Sequence, residues 1–401
     1  MPRRIFYAGT IDEVRHHAQA LMGQLPVEIL SCNEIQRAAE PGDVCIFYNE
    51  FFDRFRDLCR GLNVRGCRTV YAIDGILEWR NLWENPPAHP LGGEPNQSAM
   101  RPALSQVVAC IGANQARTLS AWGNAGKCVV MGIPRLDQFP ATIKLPTNDT
   151  PPTLLIVTAK NPGFTQPQRE TTLRSLSELR DSIRQRYPAL RVIWRLTAGL
   201  DRQLGVASDT RALSEQLSES SAVVTTPSTA MLEAMLASRP VALLDFHNRP
   251  HYVPAAWTMT APTQFFDMLA SILNADPRRM QYQQELLYDS LGNMGTATSR
   301  FVQLIRALHE AKPEVPTSQI LSEYRVTGGE SPVLPQSHPA ERNHSDLSHS
   351  MLRQEIDELR ERLSVANARL EDFARHPVLG PLLRLRQRWN RWPGQPGSTR
   401  T

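Results

Sequence analysis

Short apolar runs alternate with stretches of helical periodicity over the first 139 residues of the chain. Amphipathic segments such as 51–62 and 114–122 lie between the runs. Because buried strands that alternate with helices form a parallel sheet covered on both faces, the pattern predicts a Rossmann-like domain over 1–139. The strand-like runs are 4–8, 27–30, 44–48, 68–73, 107–111 and 128–132.

A second alternating set follows an aperiodic break. Residues 140–152 are rich in Pro and Thr, which indicates an interdomain linker. Strands and helices then alternate over 153–311, with one helix expected from Thr210 and closing helices from Pro262 and Pro277. The sequence therefore predicts an α/β fold of two Rossmann-like parallel-sheet domains. The runs of the second set are 153–159, 191–196, 222–226 and 241–246.

The composition changes from Lys312 onwards. Residues 312–347 are polar, rich in Pro and aperiodic, which is typical of a disordered linker. In 348–375 apolar residues recur at alternating spacings of four and three, which predicts a coiled-coil helix and therefore a homo-oligomer. A basic tail, 376–401, follows it. The heptad positions are Leu352, Ile356, Leu359, Leu363, Ala366, Leu370 and Phe373.

Composition and charge narrow the class of protein. The formal net charge of +4 over 401 residues gives no reason to expect a nucleic-acid partner. No run approaches the ~20 apolar residues of a membrane span, and the basic start leads into a strand without an apolar signal core. The six cysteines have no CxxC spacing, and Cys45, Cys110 and Cys128 lie in apolar runs where buried thiols are expected. These features predict a cytoplasmic protein without a metal site.

The segment 223–246 places polar residues where a strand meets a helix. Ser228 and Thr229 lie at the predicted helix start, where unpaired N–H groups and the helix dipole suit a phosphate. Glu233 follows Thr229 by four residues, so the two share a helix face, and its carboxylate suits the two hydroxyls of a ribose. The alternative is that Ser228 only caps the helix and Glu233 is solvated. Glu233 does not stand at the capping-box position, so this alternative explains only the serine.

Two stretches carry a family resemblance. AVVTTPSTAMLEAMLASRPVALLD (222–245) resembles the nucleotide-sugar segment of GT-B glycosyltransferases. VVMGIPRLDQF (129–139) resembles the Gly-x-Pro-Arg-x-Asp run of CDP-glycerol glycerophosphotransferases and related surface-polysaccharide transferases. The resemblance covers about 1–311. It implies a nucleotide-activated sugar or polyol as donor on the second domain, the acceptor on the first, the reaction between them, and no separate cofactor.

The chain departs from that family at two points. Ser238 stands where family members often have Gly, and RLTAGL (195–200) stands where many have Arg-x-His-Pro. We therefore expect Arg195, Thr197 or Lys160 to contact the phosphate in place of the missing histidine. The alternative for Lys160 is that it is a solvated loop residue. His247 and His251 follow the last predicted strand, and either of them is expected to touch the nucleotide.

The segment 72–93 supplies candidates for a general base. Asp74, Glu78 and His89 follow a strand of the first domain, and a carboxylate or imidazole there can deprotonate an attacking hydroxyl. We rank them in that order, although an Asp-Gly pair at a strand end is also a common turn. Trp79 and Trp83 suit stacking on an acceptor sugar or core packing alike. His16 and His17, by contrast, are predicted to form an exposed helix face.

These residues predict a glycosyltransferase that moves a sugar or polyol phosphate onto a surface-glycan or lipid-linked acceptor. Two alternatives remain open at this point. One is a sugar-nucleotide epimerase on the same fold, and the other is a degenerate GT-B scaffold that binds glycan or partners without catalysis.

The basic tail has the composition of an interfacial membrane anchor. Within 376–392 four arginines are interleaved with leucines and tryptophans at roughly helical spacing, and no Asp or Glu occurs from 376 onwards. We expect it to bind the anionic inner face of the plasma membrane. The alternatives are docking on the chain's own coiled coil or nucleic-acid binding. The arginines are Arg384, Arg386, Arg388 and Arg391.

Deletion of 376–401 should abolish co-sedimentation with anionic liposomes, because each arginine near such a surface contributes about 1 kcal/mol. Nucleotide binding, measured in parallel, should be unchanged. Failure of the full-length protein to sediment with the liposomes at low salt would exclude the anchor.

Overall fold

The computed structural model describes most of the first 324 residues, and both of its sheets belong to one compact unit. The described residues are 3–77, 100, 102–139, 143, 151–163, 165–247 and 254–324.

A six-stranded parallel sheet forms the first domain. Its elements are β1 (Ile5–Ala8), α1 (Ile11–Met22), β2 (Val27–Leu30), α2 (Cys32–Ala38), β3 (Val44–Phe47), α3 (Asp53–Arg65), β4 (Arg68–Ala72), β5 (Val107–Cys110), α4 (Ala113–Leu119) and β6 (Cys128–Val130). The strand order is β2-β1-β3-β4-β5-β6. The residues of β1, β3 and β5 are all buried, as expected for strands covered on both faces. All six predicted strands of this domain are confirmed.

A five-stranded parallel sheet forms the second domain. Its elements are β7 (Thr153–Val157), α5 (Gln166–Arg186), β8 (Arg191–Arg195), α6 (Leu200–Leu204), α7 (Leu213–Glu219), β9 (Ala222–Thr225), α8 (Ala230–Leu236), β10 (Val241–Leu244), β11 (Trp257–Met259), α9 (Phe265–Leu273) and α10 (Pro277–Ser290). The order is β11-β10-β9-β7-β8. The four predicted strands are confirmed. The edge strand β11 was not predicted, because three residues are too few to show a period.

Local sequence signals fix several helix starts. Thr10, Ser31 and Thr165 each accept a hydrogen bond from the backbone N–H three residues on, and the Glu or Gln there bonds back to the cap. These capping boxes satisfy two otherwise unpaired donors each. The starts of α1, α2 and α5 are therefore encoded within four residues of sequence.

The chain returns to the first domain before it leaves the described region. Helix α11 (Ala297–Glu310) and the short α12 (Thr317–Ile320) pack with the core that holds β1 and β3. The boundary expected from the sequence, which assigns 153–311 to the second domain, is wrong for α11. An amphipathic helix shows which face is buried but not which sheet covers it.

The predicted disordered linker 312–347 is also wrong in its first part. Leu321 is fully buried in the first-domain core. Arg68, itself 4% exposed, donates to the backbone carbonyls of Ala311, Lys312 and Val315. These contacts hold 312–324 on the first domain. The rest of 312–347, the coiled coil 348–375 and the tail lie outside the described residues.

The cysteines are free thiols, and all but the half-buried Cys32 are buried. This confirms the burial expected for Cys45, Cys110 and Cys128.

Ser238 adopts a backbone conformation that favours glycine. It follows the end of α8 with φ at +56°, and its N–H donates to the carbonyl of Met235 over 2.9 Å. Helices often end with a left-handed residue, usually Gly, since a Cβ is strained there. This explains why the resembling family often has Gly where this chain has Ser.

Ser238→Gly should stabilise the protein by about 1 kcal/mol, because it removes the Cβ from a left-handed position. Urea unfolding measures the change. Ser182→Gly, inside α5, is the matched control and should lose about 0.5 kcal/mol through helix propensity. Equal losses in both variants would show that the strain at Ser238 does not exist.

Candidate functional site

A guanidinium joins carboxylates from the two domains. Arg135 Nη1 lies 2.6 Å from Glu233 Oε1, and Arg135 Nε lies 3.4 Å from Asp74 Oδ1. Asp74 follows β4 in the first domain, whereas Glu233 lies in α8 of the second. The side chains are 22%, 11% and 28% exposed for Arg135, Glu233 and Asp74. The two predicted motifs thus meet at one ion-pair cluster between the sheets.

The run from Gly132 to Asp137 fixes the backbone of Arg135. Gly132 has φ at +83°, and a Cβ there would lie 2.3 Å from the carbonyl oxygen of Gly292. The Asp137 carboxylate accepts the N–H groups of Ala297 and Thr298 over 3.0 and 2.8 Å at the start of α11. Between these anchors a single turn, Pro134–Leu136, directs Arg135 to the cluster. Close packing against Gly292 therefore explains the glycine at 132, and the cap on α11 explains the aspartate at 137.

The contacts in the cluster shift the pKa values of Asp74 and Arg135 from their ordinary values. Burial by itself would raise the pKa of the Asp74 carboxyl, but the close contact with His17 and the charge of Arg135 outweigh it and lower that pKa. Burial opposes charge on Arg135 too, yet Asp74 and Glu233 raise the pKa of its guanidinium. Asp74 is therefore ionised and paired, which makes it a poor proton acceptor.

His17 contacts Asp74, so its predicted place on an exposed helix face is wrong. Its Nδ1 lies 2.7 Å from Asp74 Oδ2, and its side chain is 19% exposed. The ring stacks on Tyr48, with centroids 5.2 Å apart and planes at 15°. His16 is exposed, as predicted. The helical spacing could have predicted that His17 faces inwards, because it follows buried Val14 by three residues and precedes buried Leu21 by four.

Thr229 touches the first domain instead of capping a helix. Its Oγ1 accepts the N–H of Ile76 over 3.2 Å, and a Cβ on Gly75 would lie 2.2 Å from that oxygen. Helix α8 begins at Ala230, and neither hydroxyl of the predicted pair caps it. Ser228 Oγ instead lies 3.2 Å from Thr225 Oγ1. The Asp-Gly pair after β4 is therefore a contact between domains as well as a chain reversal.

The remaining donor-side candidates lie apart from this cluster. Arg195 donates to the carbonyl of Arg211 over 2.6 Å, and Thr197 bonds to Ala159 and Thr158 at the ends of β7 and β8. Lys160 is exposed. His247 is half-buried and lines a small pocket, and its backbone N–H donates to Asp245 over 3.2 Å.

Several candidates cannot be placed. Glu78, His89, Trp79, Trp83 and His251 lie outside the described residues. Within the described ranges, no three His, Cys, Asp or Glu side chains are grouped to hold a metal ion. Of the helices that the structure describes, none is both long and apolar enough to cross a membrane.

Gly75→Ala should destabilise the protein by about 1–3 kcal/mol, because its Cβ cannot coexist with Thr229 Oγ1. Adding Thr229→Ala should recover most of the loss by removing the oxygen, and urea unfolding measures both variants. Gly23→Ala is the control, since a Cβ there meets nothing within 4 Å. An unaltered free energy of unfolding in Gly75→Ala would contradict the contact.

No protein-family model and no curated protein matches the chain. Solved structures do match it. A Listeria monocytogenes protein assigned as a UDP-N-acetylglucosamine 2-epimerase superposes on this chain with a TM-score of 0.53 at 12% identity. The superposition covers 77% of this chain and 97% of that one. The Methanocaldococcus jannaschii UDP-GlcNAc 2-epimerase, solved with UDP-GlcNAc and UDP, gives 0.51 at 11% identity, over 76% and 99%. The wall teichoic acid polymerase TagF gives 0.46 at 11% identity, over 76% and 88%.

These likenesses establish the fold. The two epimerase structures superpose with TM-scores of 0.53 and 0.51 over 77% and 76% of this chain, and the fold conclusion does not depend on the weaker TagF superposition. At such identities a shared fold does not by itself carry a shared reaction. The chain has the GT-B fold of two parallel-sheet α/β domains, as the sequence predicts.

Proposed function

We propose that the chain is a glycosyltransferase that moves a sugar or polyol phosphate from a nucleotide-activated donor to a glycan or lipid-linked acceptor. One observation carries the proposal. Glu233 on the donor-side helix and Asp74 on the acceptor-side strand end bind the same guanidinium, that of Arg135. A donor held at α8 would therefore present its reacting atom to the end of β4.

Glu233 suits the role of a ribose anchor. Among the described residues, Arg135 engages its Oε1, and a carboxylate offers about four acceptor sites. The ion pair holds the side chain in one place before a ligand arrives, so less conformational freedom is lost on binding. Because the side chain of Glu233 is 11% exposed, it is not the solvated side chain of the alternative interpretation. Ser228 and Thr229 are proposed to contact the donor beside it.

The acceptor would bind on the first domain near Asp74. Transfer requires that its hydroxyl lose a proton while the bond to the nucleotide leaving group breaks. Asp74 at the end of β4 would have to leave its ion pair with Arg135 to accept that proton, and Glu78 and His89 are the further candidates for the base. On the donor side, Lys160 and His247 remain proposed phosphate or nucleotide contacts, whereas Arg195 and Thr197 would have to exchange their present partners.

Placement in the cell is a further part of the proposal. The enzyme would be cytoplasmic, and its tail 376–401 would carry it to the inner membrane face, where a lipid-linked acceptor resides. The segment 348–375 would pair it with other copies.

Glu233→Ala should weaken the binding of UDP or CDP by about 1.5–3 kcal/mol, the range for a hydrogen bond to a charged group. Titration calorimetry measures the affinity, and urea unfolding shows whether the fold is kept. Glu170→Ala, an exposed glutamate on α5, is the control. Unchanged affinity in Glu233→Ala would remove the residue from the donor site.

The epimerase alternative has its own support in the cluster. Asp74, Glu233 and His17 are acid–base groups in one cleft, as proton abstraction from a sugar carbon needs. Incubation with UDP-N-acetylglucosamine and no acceptor separates the cases. An epimerase should convert it to its 2-epimer, a transferase should not, and a scaffold should not bind the nucleotide.

A further inference from the structure

We propose that the N-terminal end of α3 binds a phosphate group of the acceptor, with the guanidinium of Arg56 as its counter-charge. The acceptor is that of the proposed transferase function, on which the inference rests. Arg56 carries it, because this residue is only 5% exposed and no ion pair joins it to a carboxylate in the part of the chain that the structure describes.

Arg56 is a buried cation with few hydrogen bonds. Its Nε is buried without a hydrogen-bond partner among the described residues, and its Nη1 donates to the carbonyl of Glu50 over a long 3.4 Å. Burial lowers the pKa of the guanidinium, and the charge of Arg60 lowers it further. A charge removed from water is costly unless an opposite charge or hydrogen bonds compensate it. This guanidinium therefore favours an anion beside it.

The carboxylates nearest to Arg56 do not compensate its charge. The Glu50 carboxylate accepts the N–H groups of Leu104 and Ser105 over 2.9 Å each, and the Ser105 hydroxyl as well. Asp53, the first residue of α3, is exposed. Both negative charges raise the pKa of Arg56, but they do not outweigh burial, since that pKa stays lowered.

The guanidinium lies at an uncapped helix N-terminus. Helix α3 has 13 residues, and its cap residue, Phe52, makes no side-chain cap and is 53% exposed. The N–H groups of Asp53 and Arg54 have no acceptor among the described residues. Helical side chains point back towards the N-terminus, and the contact with Glu50 holds Arg56 there. Unpaired N–H groups, the helix dipole and a cation together suit a phosphate.

This end of α3 adjoins the ion-pair cluster of the cleft. The ring of Tyr48, just after β3, stacks on His17 with centroids 5.2 Å apart, and His17 lies 2.7 Å from Asp74. An ion pair between Arg54 and Glu13 joins the first turns of α3 and α1. A phosphate bound here would belong to the acceptor, because the donor is proposed to bind at α8 in the other domain.

An acceptor that carries a phosphate fits this site better than a neutral sugar. Hydroxyl groups cannot neutralise a buried guanidinium, whereas a phosphate forms the charge-assisted, bidentate contacts that arginine favours. A polyol-phosphate chain and a lipid-linked phosphate offer the same group. We therefore expect the acceptor to carry a phosphate close to the hydroxyl that attacks the donor.

Arg56→Met in the full chain tests both sides of this inference. Met is apolar and needs no counter-charge, so without phosphate the variant should resist urea at least as well as the unmodified protein. Added glycerol 3-phosphate should stabilise the unmodified protein, because a ligand that binds only the folded state does so, and should not stabilise Arg56→Met. Arg56→Lys keeps the charge without the planar fork and should gain less than the unmodified protein.

Titration calorimetry, with UDP in excess to fill the donor site, measures the affinity for the phosphate. Arg56→Met should bind glycerol 3-phosphate about 10–100-fold more weakly, the range for a lost hydrogen bond to a charged group. Arg60→Gln is the control, since Arg60 is on the same helix but is paired with Asp57, and it should keep its affinity. Geranyl diphosphate is the second probe. Tighter binding of it than of glycerol 3-phosphate would assign the phosphate to a lipid-linked acceptor, and the reverse order to a polyol-phosphate chain.

Three results would overturn the proposal. They are a loss of stability in phosphate-free Arg56→Met, which would make Arg56 a support for the Glu50 loop, unmodified affinity in that variant, and failure of the unmodified protein to bind either phosphate probe. Binding of UDP without binding of the phosphate probes would refute the site at α3 and leave the proposed function standing. Phosphate binding that depends on Arg56 in a protein that binds no nucleotide would support the site and refute the transferase.

Discussion

The contact of one guanidinium with two carboxylates from different domains is the interaction on which the cleft depends. Arg135 is 22% exposed, and its guanidinium pairs with both Asp74 and Glu233. Removal of the guanidinium would leave two half-buried carboxylates facing each other, which is costly because like charges then share a poorly solvated space. The two ion pairs therefore join the domains at this cluster.

Packing contacts around the turn that carries Arg135 hold its guanidinium in place. Gly132 allows the chain to pass against Gly292, and Asp137 binds the N-terminus of α11. Helix α11 in turn packs into the first-domain core, where Arg68 holds the backbone that follows it. The return of the chain to the first domain thus supports the turn that carries Arg135. A change in this packing would act on the site without touching it.

Fold and reaction have to be argued separately in this protein. The GT-B fold is shared with sugar-nucleotide epimerases of 11–12% identity, and a fold of this kind hosts more than one chemistry. What distinguishes the reactions is the set of groups in the cleft and which of them can move a proton. Here the cleft groups His17, Asp74 and Glu233 around the guanidinium of Arg135.

The sequence by itself determined the parallel-sheet layout, because alternation and burial are local properties of the chain. It gave β2 with its observed bounds, the strands around it, and the starts of helices at capping boxes. It also singled out Glu233 and Asp74 as candidate site residues. Only the tertiary structure decided that α11 joins the first domain, that His17 faces Asp74, and that Thr229 meets Ile76. His17 and Asp74 are 57 positions apart in sequence, and Ile76 and Thr229 are 153 apart. Periodicity within a single helix or strand carries no information over such separations.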